Sequence, residues 1–334
     1  MTQLSIPQAG LVDIKKTAEF IKAGKTMVIS GDESLLKDLP KGNWIGGTIP
    51  YFMVESGGII SREQVFVHFL PSQICRTTIA NYSTTRLPQV LIDAPEHGFS
   101  IIILPAGSNI HADYAYNAPD YEDMFLKPII GWVSGVHLDE LEQSQAKVFN
   151  GQTNTVFVQE AVVLHAELPE SLTATIGIVN LFKQGQGDTF LFPETGFNVE
   201  NCFINGKETN FADYLLNNKI DTTLPLVADY NGAMINVSFQ SVNEDQHRVG
   251  FYAPIFTDIE YKLAASVPDY VHSFQAALPN NLNNVVFSCN CILNFLYSNL
   301  EGKRVGTFFG PMTFGEVAYQ LLNQTLVYLT LDEY

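Results

Sequence analysis

"FFGPMTFGEVAYQLLNQTLVYL", residues 308–329, is an apolar strand that breaks into Gly310-Pro311-Met312-Thr313-Phe314-Gly315-Glu316 before the apolar pattern resumes. Glycine and proline mark a turn. Thr313 and Glu316 spell T-x-x-E, a capping box ahead of a helix over "EVAYQLL", with Asn323 ending that helix before a last strand, "LVYLTL". The same hydroxyl and carboxylate can instead face a ligand, and both readings stand on the sequence alone.

Two earlier stretches share this rough shape of an apolar strand ending in glycine and small or hydroxyl residues: "WIGGTIPYF" at 44–52 and "IIGWVSGVH" at 129–137. Glycine at such places permits positive φ or the close approach of a ligand or another backbone. Strand ends that need glycine for packing give the same pattern.

Just upstream of the opening stretch, "VVFSC" reads as a strand and "CILNFLYSNLEG" as a helix. Ile292, Phe295 and Leu296 share one face of that helix, and Gly302 is placed to cap its C-terminus. Cys289, Asn290 and Cys291 then fall at a helix start, where free N–H groups and the dipole favour an anion or a thiolate. Brought beside Gly310, Thr313, Gly315 and Glu316, they make a candidate pocket. Cysteine also packs as an inert small hydrophobe, which is the competing reading.

The rest of the chain sets the fold class. An amphipathic helix is expected at 11–22, a strand at "KTMVISG", a short helix at "ESLLKDL", and strands at "QVFVHFL", "ICRTTIANY", "FSIIILPAG" and "KPIIGWVSGV". A helix is expected within "TTRLPQVLIDAPEHG" and an aromatic, acidic surface loop at "HADYAYNAPDYEDMF". Beyond residue 150 strands dominate, with helices at "NFADYLLNN" and "PDYVHSFQAAL" and a hairpin turn at "FKQGQGDTF". The pattern predicts an α+β protein of mixed β-sheets with packed helices, in two sub-domains, 1–150 and 151–334, that share an interface.

Composition narrows the function. The 334 residues carry 35 Asp and Glu against 18 Lys and Arg, a formal net charge of −17 that repels phosphate backbones and anionic lipid. No apolar run is long enough to span a bilayer, and "MTQLSIPQAG" lacks the basic start and apolar core of a targeting signal. A cytoplasmic protein without nucleic-acid or membrane partners is expected. The four cysteines suit reduced thiols better than disulfides, and the seven histidines are scattered with no metal-ligand spacing, so neither metal nor cofactor is expected.

The C-terminal stretch resembles the C-terminal half of FIST sensory domains, which close on a Gly-Glu turn, a Leu-x-Asn-x-Thr and an apolar strand. "GNWIGGTIPYF" with "GGIISREQVFVHF" resembles the N-terminal FIST half. The resemblance covers about 30 residues at each end. It departs at "CNCILNF", which lacks the arginine common after the cysteine. It implies small-ligand sensing without catalysis, with amino acids or small amines as ligands, and maps onto Gly310, Thr313, Gly315, Glu316, Asn323 and Thr325, and onto Gly46, Gly47 and Thr48. A signalling partner or a homo-oligomer fits that role. Two alternatives remain: an enzyme with Cys289 or Cys291 as nucleophile and Glu316 as general base, and a non-catalytic scaffold.

Overall fold

The computed structural model describes residues 9–230, 232–279 and 284–333. Most of the stretch read for a targeting signal lies outside them. The chain forms mixed β-sheets with a minority of short helices, and no described helix is long and apolar enough to cross a membrane. It divides into two compact units. The first is 1–179 with 278–321 and 326–334, and the second is 180–277 with 322–325. The stretch at 150–154, where the sequence suggests a boundary, lies in the tip of a hairpin inside the first unit.

The first unit is one motif used three times. In the first repeat, β1 (Ala9–Asp13) leads through α1 (Ile14–Lys22) to β2 (Met27–Gly31), α2 (Glu33–Leu36) and β3 (Trp44–Thr48). A two-stranded ribbon, β4 (Tyr51–Val54) and β5 (Gly57–Ile60), follows, and then β6 (Gln64–Phe69). The second repeat runs β7 (Arg76–Tyr82), β8 (Gly98–Pro105), α3 (Asn109–Asn117), β9 (Ile129–Ser134), the ribbon β10 (Val148–Asn150) and β11 (Thr155–Phe157), and β12 (Ala161–Glu167).

The third repeat opens with β13 (Leu172–Val179), and the second unit is inserted after it. That unit holds β14 (Gln184–Leu191), β15 (Gly196–Val199), β16 (Asn201–Ile204), β17 (Lys207–Asn210), α4 (Phe211–Asn217), β18 (Leu226–Tyr230), β19 (Ala233–Val237), β20 (Phe239–Asn243), β21 (Arg248–Ile255), β22 (Tyr261–Ala264) and α5 (Tyr270–Ala277). Its two sheets are ordered β17-β16-β14-β22-β18-β19 and β15-β21-β20. Phe190, Phe192, Phe211, Phe239, Phe251 and Tyr261 fill its core. The third repeat resumes with β23 (Val285–Cys291), α6 (Ile292–Tyr297), β24 (Gly310–Thr313), the ribbon β25 (Glu316–Ala318) and β26 (Gln320–Leu322), and β27 (Leu326–Glu333).

Strand order makes the repetition explicit: β1-β6-β2-β3, β7-β12-β8-β9 and β13-β27-β23-β24. In each, the last two strands are parallel and joined through a helix, while the others pair antiparallel. Each four-stranded sheet is then completed to six by a ribbon from a different repeat. The ribbon after β3 pairs with β24, the one after β9 pairs with β3, and the one after β24 pairs with β9. The three glycine-bearing stretches picked out in the sequence contain β3, β9 and β24, the strands that receive these ribbons. Gly131 and Gly310 are glycines because backbone passes close by: an added Cβ would lie 1.8 Å from the Ile102 carbonyl oxygen and 2.0 Å from that of Ser288.

Several local expectations differ from the fold. "EVAYQLL" is two short strands, not a helix, because pairing with β9 overrides its helix-forming residues and Tyr319 takes φ 65° between them. Only a 3-10 turn, Leu87–Gln89, forms where a helix was expected, in a segment broken by Pro88 and Pro95. The first helix begins at Ile14, after Asp13 caps it, because Leu11 and Val12 pair with β6. The first half of the acidic, aromatic segment lies in α3, with Tyr114 buried and its hydroxyl donating to the Tyr319 carbonyl at 2.7 Å, and a 3-10 turn, Ala118–Asp120, follows. "QGQG" lies within β14, and α6 ends at a Ser298 cap, short of Gly302.

Two buried histidines, His68 and His165, and the half-buried His111 stay neutral. His68, between the rings of Phe66 and Phe287, accepts from the Ser288 amide at Nε2 (3.3 Å), and burial pushes its pKa down to about 3. Burial likewise lowers His111 and His165 to about 4. An unfolded chain takes up these protons near pH 6.5, so stability is present above that pH and falls as pH drops toward about 4. The melting temperature is expected to fall steadily from pH 6.5 to 4.5. A melting temperature that stays level across that window contradicts neutral burial of these rings.

Candidate functional site

The C-terminal candidates do come together, in the third repeat, but as packed core. Cys289, Asn290 and Cys291 are the last residues of β23, and all three are buried with Thr313 and Glu316. The Asn290 side-chain oxygen accepts from the Cys291 amide (2.8 Å) and from Asn294 Nδ2 (2.9 Å). The Thr313 hydroxyl lies 3.2 Å from both the Asn290 carbonyl and Glu316 Oε1. Thr313 therefore contacts the Glu316 side chain across the turn from β24 to β25, strands of different sheets, and the capping-box reading falls with the helix it required.

Cys289 Sγ donates to the Gly131 carbonyl at 3.4 Å, and burial, reinforced by the Glu316 charge, pushes its thiol well above the usual range. A nucleophile needs the opposite shift. The cavity bounded by Cys289, Asn290, Phe309, Gly310 and Leu326 measures about 10 Å³, room for one water at most. None of the four cysteines is in a disulfide, and Cys75 is the exposed one. Among the described residues no three His, Cys, Asp or Glu side chains gather as metal ligands.

The remaining candidates divide. Asn323 and Thr325 belong to the second unit, where the Asn323 carbonyl accepts from Asn236 Nδ2 at 3.0 Å. Gly46 and Gly47 are glycines for packing: a Cβ on Gly46 would lie 2.9 Å from the Ile29 carbonyl, and one on Gly47 would meet Ile103, Ser134 and Trp132. Thr48 is different, because it lines a cavity of about 260 Å³ at the carboxyl ends of β2 and β3.

This cavity is built from the first repeat and the loop that follows β9. Register places Thr48 opposite Gly31, as Ser134 lies opposite Pro105 and Thr313 opposite Cys291, so the three repeats end their parallel pairs on equivalent hydroxyl residues. Thr48 also holds both ends of the loop. Its carbonyl accepts from the Gly135 amide (2.7 Å), its amide donates to the Lys147 carbonyl (3.0 Å), and its hydroxyl accepts from the Lys147 amide (2.9 Å).

Charged groups line the walls. Asp32 caps α2 and accepts from the Ser34 amide (2.9 Å) and hydroxyl (2.7 Å). Arg62 joins Asp32 Oδ2 (Nε, 2.9 Å) to Glu140 Oε1 (Nη2, 2.6 Å) across the opening. Burial alone would raise the Asp32 pKa, but the Ser34 and Arg62 hydrogen bonds and the guanidinium charge hold it below the usual carboxylate range. The Glu140 hydrogen bond, helped by the Asp32 and Glu140 charges, raises the pKa of the Arg62 guanidinium. Glu33 pairs with Lys147 at 2.5 Å, and His137 stacks on Tyr51, whose hydroxyl accepts from the Leu138 amide at 3.0 Å.

The sequence reading reached Thr48 but not Asp32, Arg62, His137 or Glu140. Asp32 was within reach, since a strand running into Asp-Glu-Ser is a helix-start signal. Arg62 sits in a loop and Glu140 in a short 3-10 turn, Leu138–Glu140, with no spacing to mark them.

Fold and site together define an internally triplicated α+β protein with a charged cavity at the carboxyl end of one parallel strand pair. The chain belongs to DUF6976, a family of unknown function, whose family model matches residues 12–332. No curated protein matches it.

Thr48→Val keeps the shape but removes the acceptor for the Lys147 amide. A loss of about 1 to 3 kcal/mol is expected in urea unfolding, with faster proteolytic cleavage between residues 136 and 146. A variant within about 0.5 kcal/mol of the parent and cleaved at the parent's rate contradicts the anchoring role. In the native protein one thiol, Cys75, should react quickly with a thiol reagent and the other three only on unfolding; rapid labelling of Cys289 would contradict its burial.

Proposed function

We infer that this chain is a cytoplasmic, sensor-like protein that binds a small ligand in the cavity beside Thr48, and that the ligand is an amino acid or a small amine. The observation that carries this is the convergence of Asp32, Glu33 and Glu140 with Lys37 and Arg62 on one cavity of about 260 Å³. Ligands of open α/β sheets sit outside the carboxyl ends of parallel strands, and a pocket with a few convergent polar groups is the expected binding site. The resemblance to FIST sensory domains supports the same class.

Both signs of charge on the walls suit a ligand that carries an ammonium and a carboxylate. An entering ammonium competes with the Arg62 guanidinium for the Asp32 and Glu140 carboxylates. Lys37 is exposed at the rim, with no ion pair to a described residue, and can take a carboxylate. A simple amine would use the acidic wall alone.

Thermal-shift screening against amino acids and small amines, with isothermal titration of any compound that acts, tests this. A ligand at about 100 times its Kd adds roughly 2.7 kcal/mol and raises the melting temperature by several degrees. Glu140→Gln should melt with the parent, because a partly exposed ion pair contributes only about 0 to 1 kcal/mol, yet lose most of the ligand-induced shift. If no such compound binds, or if Glu140→Gln binds it as tightly as the parent, the reading is wrong.

A further inference from the structure

Sheet edges leave backbone N–H and C=O groups without partners, and proteins guard long edges with charge, proline or brevity. The first unit follows this rule at most of its edges. β1 ends in Asp13, β7 begins with Arg76, which pairs with Glu167 at 3.1 Å, and β5, β11 and β26 are only 4, 3 and 3 residues long. β13 does not follow it. Its sequence, LTATIGIV, is eight residues that among the described residues form the edge of their sheet, with no charge and no proline. Thr175 is exposed, and Ile178 is 47% exposed.

We propose that β13 pairs with the β13 of a second copy of this chain, antiparallel across a two-fold axis, joining two six-stranded sheets into one. The uncharged edge favours this occupant, and the charges beside it set the direction. The chain carries a net −17, so two copies repel over most of their surfaces, and an uncharged edge lets them approach. The neighbouring β27 sets Asp332 beside Thr173 and Glu333 beside Leu172, at the amino end of β13. Parallel pairing would bring the acids of both copies together. Antiparallel pairing centred on Ile176 puts Thr173 of one copy opposite Val179 of the other. The two acidic ends then lie roughly 20 Å apart along the strands, beyond the ~8 Å screening length at physiological ionic strength. The residues that face each other are Thr, Ala, Ile, Gly and Val, whose β-branched members suit a paired strand. Isologous two-fold contacts are also the commonest way for a chain to self-associate.

Sedimentation of the parent across a dilution series should show a species of twice the 37.1 kDa chain mass. Thr175→Lys, which sets like charges near the axis, should sediment as a folded monomer whose melting temperature matches that of the parent at dilutions where the parent is monomeric. Thr175→Val should remain a dimer. Should the lysine variant misfold, hydrogen exchange on the parent decides the matter: the amides of residues 172–179 directed away from β27, alternate along the strand, should lose protection on dilution. A parent that is monomeric throughout, a folded Thr175→Lys that dimerises like the parent, or β13 protection independent of concentration overturns the proposal.

Discussion

The first unit depends on the pairing of each ribbon with a strand of another repeat. Without it, β3, β9 and β24 would each end a sheet with a row of bare backbone groups, and an unpaired buried N–H or C=O is costly. With the ribbons in place these three strands are buried along their length. The ribbon satisfies them, and because the exchange is cyclic no repeat can be removed without exposing another. His68 adds a side-chain link of the same kind, from β6 of the first repeat to the Ser288 amide of the third.

The same exchange places the cavity. A ribbon that leaves one repeat for another must cross near the carboxyl ends of the parallel strands. In the crossing from β9 to β10 the chain spends residues 135–147 on a loop, and Thr48 ties down both ends of it. That long crossing leaves open space and supplies His137 and Glu140. The crossing from β24 to β25 is two residues, Phe314 and Gly315, so the Thr313 hydroxyl meets Glu316 directly and leaves no comparable space beside it. One architecture thus gives a charged cavity beside Thr48 and solid packing at Thr313, and the difference is loop length.

Much of this frame was legible. The strand-to-glycine similarity among 44–52, 129–137 and 308–316 is the trace of the triplication, and it survives because Gly131 and Gly310 have no room for a Cβ. The cavity was legible at Thr48, while Thr313, its register equivalent in another repeat, lies in packed core. Local pattern marks the strand end in both, but only the distant loop decides whether a cavity opens there. "EVAYQLL" misled for a related reason: its residues favour a helix, and their strand conformation is imposed by β9, nearly 190 residues earlier. Most of the second unit, 180–277, is inserted between β13 and β23, which no change in composition announces.

The central claim is that cyclic ribbon exchange makes the three repeats one cooperative structure. Native-state hydrogen exchange on the core amides of β2, β8 and β23, one strand from each repeat, measures this directly. Cooperative closure requires the three strands to open together, with free energies within about 1 kcal/mol of one another and the same denaturant dependence. Three separate openings, with one repeat losing protection well before the others, would contradict it.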